Sequence, residues 1–473
     1  MVLRVLKLET QILTPIYPRP FLFLCQFQSA ICLNLIEYNC AGRLLYTEVS
    51  MLDIKLFREN PELIKESLQK RHMDPAPVDE IIALDEKRRA LILDVENKKA
   101  ERNAVSKEIG RMKDKDEHEA KISAMRKLGD AITALDEELK SLESVLTEQL
   151  ASLPNIPDPD VPIGLDDKDN VVIRTIGEIP QFDFEPKPHW DLGPELGIVD
   201  FEAGVKLAGT RYYVLEGAGA RLERALIFWM LDLHIRQGYR EYYPPWMVRE
   251  EVMFASGQLP KFADNLYHDH EEDYWWVPTA EVPLTGIMMG EVIDEAKLPM
   301  NMTAYTACFR REKMSAGRDV RGMKRGHQFD KVEMYKYCLP ENAEAELDQM
   351  VKDAAATCAE LGLTYRILLQ STGDLSFGSH KTYDIEVWAP GCQEWLEVSS
   401  ISNIGQFQAR RANIKYRPSD GSALQFVNTL NGSGLGLPRT LIAVMETYQQ
   451  ADGSIRIPEV LKPFMGGIEV IQK

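Results

Sequence analysis

Residues 303–337, TAYTACFRREKMSAGRDVRGMKRGHQFDKVEMYKY, decide how the rest of the chain is read. The alternation predicts a strand over Thr303–Glu312, a basic loop, and a return strand. Period 2 places Arg310 and Glu312 on one face of the first strand. On the second, Phe329, Lys331, Glu333 and Tyr335 share a face. The loop crowds Lys313, Arg318, Arg321, Lys324 and Arg325, offset only by Asp319. Arginine forks suit phosphates, an aromatic face can stack a base, and buried carboxylates can hold an ammonium or a hydroxyl. A solvated amphipathic hairpin is the plain alternative. A guanidinium, two carboxylates and an aromatic ring on one face argue against it.

Downstream, 381–411 (KTYDIEVWAPGCQEWLEVSSISNIGQFQARR) predicts two strands joined at Ala389-Pro390-Gly391. Glu397 and Ser400 are three apart, so strict alternation separates them. A bulge near Val398–Ser399 is needed if both serve one site. Next, 428–453 (NTLNGSGLGLPRTLIAVMETYQQADG) carries Gly432, Gly434 and Gly436, then Pro438 at a helix start. It reads as a glycine-rich turn into a helix, a common phosphate site. Upstream, VPTAEVPL (277–284) sets Glu281 between Pro278 and Pro283. The prolines predict a rigid turn or strand end for Thr279 and Glu281, not a helix. Residues Leu222, Leu226, Trp229 and Leu233 share a helical face that ends at Gly238, before Pro244-Pro245.

These motifs resemble class II aminoacyl-tRNA synthetases, specifically the bacterial-type seryl enzymes. FRRE…GRDVRG…HQFDKVE is similar to their motif 2, the 222–245 helix and strand to motif 1, and 428–453 to motif 3. The resemblance runs over essentially all of 51–473 in the family's order. It implies an α+β catalytic domain, an antiparallel sheet with flanking helices, working as a homodimer through motif 1. It implies Arg310 and Arg439 as the catalytic arginines, on the α-phosphate and the γ end of ATP. Glu312, Phe329, Glu397, Val398, Ser399 and Ser400 complete the ATP site, with Glu397 and Ser400 binding Mg2+ with ATP. Thr279, Ala280, Glu281, Glu333 and Ser433 surround serine. One departure stands in motif 2: Lys313-Met314-Ser315 replaces the family's usual Ala-Gly-Ser. About 20 residues follow Gly453, too few for the anticodon-binding domain that threonyl, prolyl and most glycyl relatives append.

A second pattern lies toward the N-terminus. Ile81, Leu84, Arg88, Leu91, Val95, Lys98, Arg102, Val105, Ile109 and Met112 alternate spacings of three and four. After a charged, turn-like Lys113–Glu117, so do Met125, Leu128, Ile132, Leu135, Leu139, Leu142 and Leu146. Two helices of about 33 residues would form an antiparallel coiled-coil arm reaching about 50 Å. Dimerisation is the commoner use of heptads. Here residues 87–115 hold ten Lys or Arg against five Asp or Glu, the footprint of a phosphate-backbone reader. In the resembling family this arm grips serine tRNA, which implies tRNA(Ser), and tRNA(Sec) with it, as partners. Lys87, Arg88, Lys99, Arg102 and Arg111 are the candidate tRNA contacts. A ligase acting on a carrier protein would share the catalytic motifs and lack this arm.

The expected organisation is therefore 51–153 tRNA-binding, 154–170 a stiff Pro/Asp linker, and 171–473 catalytic. Residues 1–50 break in composition and hold three of the seven cysteines. Their uncharged run, Phe21–Ile36, is too short to span a bilayer. MLDIKLFRENPELIKESL at Met51 is similar to the family's usual beginning, so 1–50 reads as an extension from a non-native start, or disordered. Across 473 residues, 45% hydrophobic and 27% charged content describe a globular protein. The net charge of −18 leaves local basic patches free to bind nucleic acid. The cysteines show no CxxC pair and no metal spacing with the eight histidines, so no zinc, a cytoplasmic location and no membrane association are expected.

Overall fold

The computed structural model describes residues 52–109, 115–313 and 321–473. The N-terminal extension, Arg111 and the Met314-Ser315 departure lie outside them. Eight strands build the central sheet: β1 (Val171–Ile176), β2 (Arg240–Tyr242), β3 (Met300–Phe309), β4 (Gln328–Cys338), β5 (Tyr365–Leu369), β6 (Lys381–Ala389), β7 (Glu394–Gly405) and β8 (Asn428–Gly436). Their order is β1-β5-β6-β7-β8-β4-β3-β2. Every pairing is antiparallel except β2 with β3.

Alternation gives the sheet two unlike faces. From β4, Val332, Met334 and Cys338 enter one core with Leu222, Leu226, Trp229 and Leu233 of a helix over Gly217–Arg236. That core also takes residues from helices over Ala343–Glu360 and Leu437–Thr447. The other face of β4 presents Phe329, Lys331 and Glu333 to a cleft. The hairpin of β3 and β4 runs in register from Met300↔Tyr337 to Phe309↔Gln328 and stops there. The first strand is thus shorter than the sequence predicts: Arg310–Glu312 lie beyond the ladder.

The N-terminal arm is two helices, α1 (Pro77–Ile109) and α2 (Lys115–Ala151). The second helix begins inside the stretch expected as a turn. In the body, α3 is Gly217–Arg236, α4 Glu281–Gly286, α5 Ala343–Glu360 and α6 Leu437–Thr447. In the arm, Ile81, Val95, Ile132, Leu142 and Leu146 are buried, as the heptad requires. The arm's base is not separate from the body. Ile81, Leu146, Leu150 and Leu153 share a core with Phe254, Phe377 and Phe407. Buried Arg411 donates to the carbonyl of Ala151 at 3.1 Å, capping the end of α2, and to Leu259 at 2.7 Å. The segment after α2 is docked too, with Asn155 Nδ2 donating to Gly378 and Ile404 carbonyls at 3.0 and 2.8 Å. Among the described residues no helix is long and apolar enough to cross a membrane.

Candidate active site

The cleft, about 570 Å³, lies over the middle of the sheet. Its floor is a chain of polar contacts. Thr279 Oγ1 donates to Glu333 Oε2 at 2.9 Å and accepts from Lys331 Nζ at 2.6 Å. The Lys331 ammonium also pairs with that same Glu333 oxygen. Glu333 is almost wholly buried, with 1% of its side chain exposed. Beside it, Glu281 Oε1 accepts from Gln408 Nε2 at 2.6 Å and Asn431 Nδ2 at 2.8 Å. Burial and the Glu333 charge raise the Glu281 pKa to about 7, against the opposing pull of Lys331, Gln408 and Arg310. Gln408 is itself fixed, its Oε1 accepting from Thr429 at 2.7 Å and Tyr335 at 3.1 Å.

Glu281 opens α4, contrary to the turn or strand end its flanking prolines predict. Pro283 sits in the first turn, where backbone N–H groups have no helical partner, so it breaks nothing. Ala280, expected around serine, packs into the core beside α4 and does not line the cleft. Thr279, Glu281, Glu333 and Ser433 do line it.

The motif 2 residues arrive by a different route from the expected one. Arg310 follows the last ladder residue of β3. Its guanidinium lies 5.0 Å from the Phe329 ring centroid, and its Nε donates to the Pro278 carbonyl at 3.3 Å. Glu312 adopts φ +50°, a left-handed backbone worth about 1 kcal/mol of strain. Arg325 stands 3.5 Å from its carboxylate. Both Arg310 and Glu312 line the cleft, brought there by a turn rather than by shared strand parity.

On β7 the expected bulge is present. Ile385 pairs with Ser399 and Glu386 with Glu397, leaving Val398 as the extra residue. Glu397 and Ser400 therefore both line the cleft. Ser399, placed with ATP by resemblance, does not. Its hydroxyl donates to the Ser433 carbonyl at 2.6 Å, tying β7 to β8. Val398 is buried in the core and touches the cleft's edge.

The glycine run of motif 3 is a strand, not a turn: Gly432, Gly434 and Gly436 all lie in β8. A Cβ on Gly434 would come 2.2 Å from His234 Nε2 of α3, so the glycine serves close packing of helix on sheet. Arg439, in the first turn of α6, donates to the Glu397 carbonyl at 2.7 Å and the Lys324 carbonyl at 3.4 Å. It joins β7 to the basic loop across the cleft.

The arm's basic residues are largely paired with the facing helix. Lys87 meets Glu138 at 2.9 Å, Arg88 Glu143 at 3.0 Å and Lys99 Asp136 at 3.0 Å. The predicted stripe is thus not a free one. Exposed pairs of this kind contribute about 0–1 kcal/mol, so phosphates can compete for them. Arg102 is half-buried in the seam. Sequence reasoning gave no role to Gln408, Asn431 or Lys331, which set the floor's charge and geometry. Only Lys331 carried a signal, its parity with Glu333.

A mainly antiparallel eight-stranded sheet with such a cleft defines a class II aminoacyl-tRNA synthetase. A model of the tRNA synthetase class II core domain (G, H, P, S and T) matches residues 262–448, which supply most of the cleft. A model of the seryl-tRNA synthetase N-terminal domain matches residues 51–157. The serine–tRNA ligase of Chloroflexus aurantiacus is 59% identical over 421 residues, 89% of this chain and 100% of that protein. That of Roseiflexus castenholzii is 60% identical over 423 residues, again 89% and 100%. A crystal structure of seryl-tRNA synthetase from Pyrococcus horikoshii complexed with ATP superposes with a TM-score of 0.83 at 36% identity, over 89% of this chain and 99% of that one. The chain belongs to the serine–tRNA ligase family.

Proposed function

We propose that the cleft joins serine to ATP as an adenylate and then passes it to tRNA(Ser) and tRNA(Sec). The carrying observation is the convergence of two acids, half-buried Glu281 and buried Glu333, with Arg310, Phe329 and Arg439 in one cleft. An ammonium-bearing substrate meets the acids, and a nucleotide meets the arginines and the ring.

In the first step a serine carboxylate oxygen attacks the α-phosphorus, and the bond to the β-phosphate breaks to release pyrophosphate. In the second, the 3′-terminal ribose hydroxyl of tRNA attacks the acyl carbonyl and AMP leaves. Neither step needs a covalent enzyme intermediate, so catalysis is positioning and charge stabilisation. Arg310 holds the α-phosphate as its charge grows, and Arg439 holds the γ end. Glu312 orients the nucleotide, and Phe329 stacks the base once Arg310 turns to the phosphate. Glu281 takes the ammonium. Glu333, with Thr279 and Ser433, takes the hydroxyl.

Residues for magnesium fit that ion's chemistry. Glu397 and Ser400 offer hard oxygens to the cleft. Ser400's cross-strand partner Asp384 is buried, and burial with the neighbouring Glu397 charge pushes its carboxyl pKa up, a repulsion that a cation would relieve. Bound there with ATP, the ion would supply neutralisation of phosphate charge.

The same reading divides the chain into an arm domain over 51–153, a connecting segment over 154–170 and a catalytic domain over 171–473, in a cytoplasmic homodimer. The family's motif 1 helix, α3, leaves Phe228 51% exposed, and Tyr243 beyond it is 79% exposed, a surface available to a second copy. The test is ATP–pyrophosphate exchange without tRNA, then charging of total tRNA. Exchange that requires serine, followed by serine-specific charging, is the expected result. Exchange with no amino-acid dependence would overturn the assignment.

A further inference from the structure

Among the described residues, a trio of ligand-type side chains lies outside the cleft: His189, Cys392 and Glu446. No spacing in the sequence foretold it. Glu446, on α6, is fully buried, and its two oxygens take five donors. Oε1 accepts from the His189 backbone at 2.8 Å, His189 Nδ1 at 2.9 Å and Cys392 Sγ at 3.1 Å. Oε2 accepts from the backbone N–H groups of Gly391 and Cys392, each at 2.9 Å. Burial alone would raise this carboxyl's pKa, but the hydrogen bonds from His189 and Cys392 outweigh it and hold it low.

The tautomer follows from the other ring nitrogen. The Met323 backbone N–H, which can only donate, lies 3.1 Å from His189 Nε2. Nε2 must therefore offer a lone pair, and the ring proton sits on Nδ1, facing the carboxylate. Each ligand-type atom of the trio is thereby engaged. A zinc ion would have to displace the thiol and imidazole protons together with those contacts. The arrangement is that of a hydrogen-bonded junction.

What it holds is the root of the basic loop. Gly322 has φ +73°, and a Cβ there would fall 2.0 Å from His189 Nε2, so only glycine lets the backbone rest on the ring. The next residue, Trp190, lies under Arg321 at 4.6 Å and Lys324 at 5.4 Å. Asp191 stands 3.7 Å from Arg321. None of these three residues lines the cleft, yet the segment they hold runs straight into Lys324, Arg325 and Gly326, which do.

We propose that His189, locked by Glu446, is a positioning residue for the nucleotide. Its Nε2 fixes the backbone at Met323, and with it the Lys324 carbonyl that Arg439 grips and the Arg325 side chain that faces Glu312 in the cleft. The kinetic part of this inference rests on the reading of the cleft as an ATP site.

Two full-length variants separate the halves of the junction. His189→Asn keeps a donor near Nδ1 for Glu446 and loses the acceptor for Met323. His189→Gln keeps an acceptor near Nε2 and loses the donor. In serine-dependent exchange, His189→Asn should raise KM for ATP about fivefold to thirtyfold, as the loss of one buried hydrogen bond implies. KM for serine should stay within about twofold. His189→Gln should keep KM for ATP near wild type even if its melting temperature falls. Wild-type KM for ATP in His189→Asn, or a parallel rise of both KM values, would overturn the proposal. Limited trypsin digestion reads the junction without the activity. His189→Asn should be cut faster after Arg321, Lys324 or Arg325. If wild type shows no exchange but this difference appears, the ATP reading fails and the junction stands; an unchanged cutting rate removes the junction.

Discussion

Glu281 should make serine binding depend on pH. With a carboxyl pKa of about 7 in the free protein, about one tenth of the group is ionised at pH 6 and about nine tenths at pH 8. Serine's ammonium needs the ionised form, so KM for serine in pyrophosphate exchange should fall about tenfold between these values. KM for ATP should hold steady. Glu281→Gln keeps an acceptor for Gln408 and Asn431 but removes the charge. It should raise KM for serine about tenfold to a hundredfold at pH 8, the worth of a charge-assisted bond, and flatten the profile. Stability gives an independent check. The folded pKa lies above the ordinary 4.5, so the protonated acid favours folding. That contribution is complete below about pH 4.5 and is lost as pH rises through 7, by at most about 3 kcal/mol. Melting of Glu281→Gln relative to wild type should therefore improve over that window and level off above it. A flat serine KM in wild type from pH 6 to 8, or a variant that keeps the slope, would refute the assignment of the ammonium to Glu281.

The remaining predictions concern other parts of the cleft and the arm. Glu333→Ala should cut serine activation about tenfold to a hundredfold and narrow the serine-over-alanine ratio, because the pocket then no longer loses a buried acceptor's partner when alanine binds. Melting temperature should fall as well, since Lys331 loses its buried counter-charge. Adding Lys331→Met should recover stability but not the ratio, and an unchanged ratio in Glu333→Ala would end the specificity role. Glu397→Ala should raise the magnesium concentration needed for half-maximal exchange about tenfold or more, measured by titration after chelation; an unmoved midpoint would take Glu397 out of the metal's reach. Removing residues 96–133 and rejoining the arm helices leaves intact the core that Leu146, Leu150 and Leu153 share with Phe254 and Phe377. Exchange should survive, while tRNA charging falls at least about a hundredfold with the lost phosphate contacts; normal charging would make the arm a scaffold.

The places where sequence and structure part are local. Parity placed Phe329, Lys331 and Glu333 on one face, because a ladder that continues through them enforces period 2. It failed for Arg310 and Glu312, because the ladder ends at Phe309 and parity has no force in a turn. The prolines around Glu281 read locally as helix breakers, whereas Pro283 falls in a first turn that tolerates it. Ser399 is turned out of the cleft by the same bulge that brings Glu397 and Ser400 together. Gly434 of β8 makes room for His234 of α3, a packing demand with no local signature.

By itself the sequence determined the class of fold, the arm's heptad seam and most of the residues that meet in the cleft. Those properties are carried by short-range periodicity and by motifs whose spacing is fixed along the chain. Tertiary structure alone decided the floor's electrostatics: Gln408 and Asn431 reach Glu281 from residues 127 and 150 positions away. It also decided the His189–Glu446 junction, 257 residues apart, and the pairing of the arm's basic residues with acids on the facing helix. Each depends on which distant side chains packing brings within hydrogen-bond reach. A pKa responds to that neighbourhood through burial and charge over a few ångströms, and separation along the chain does not encode it.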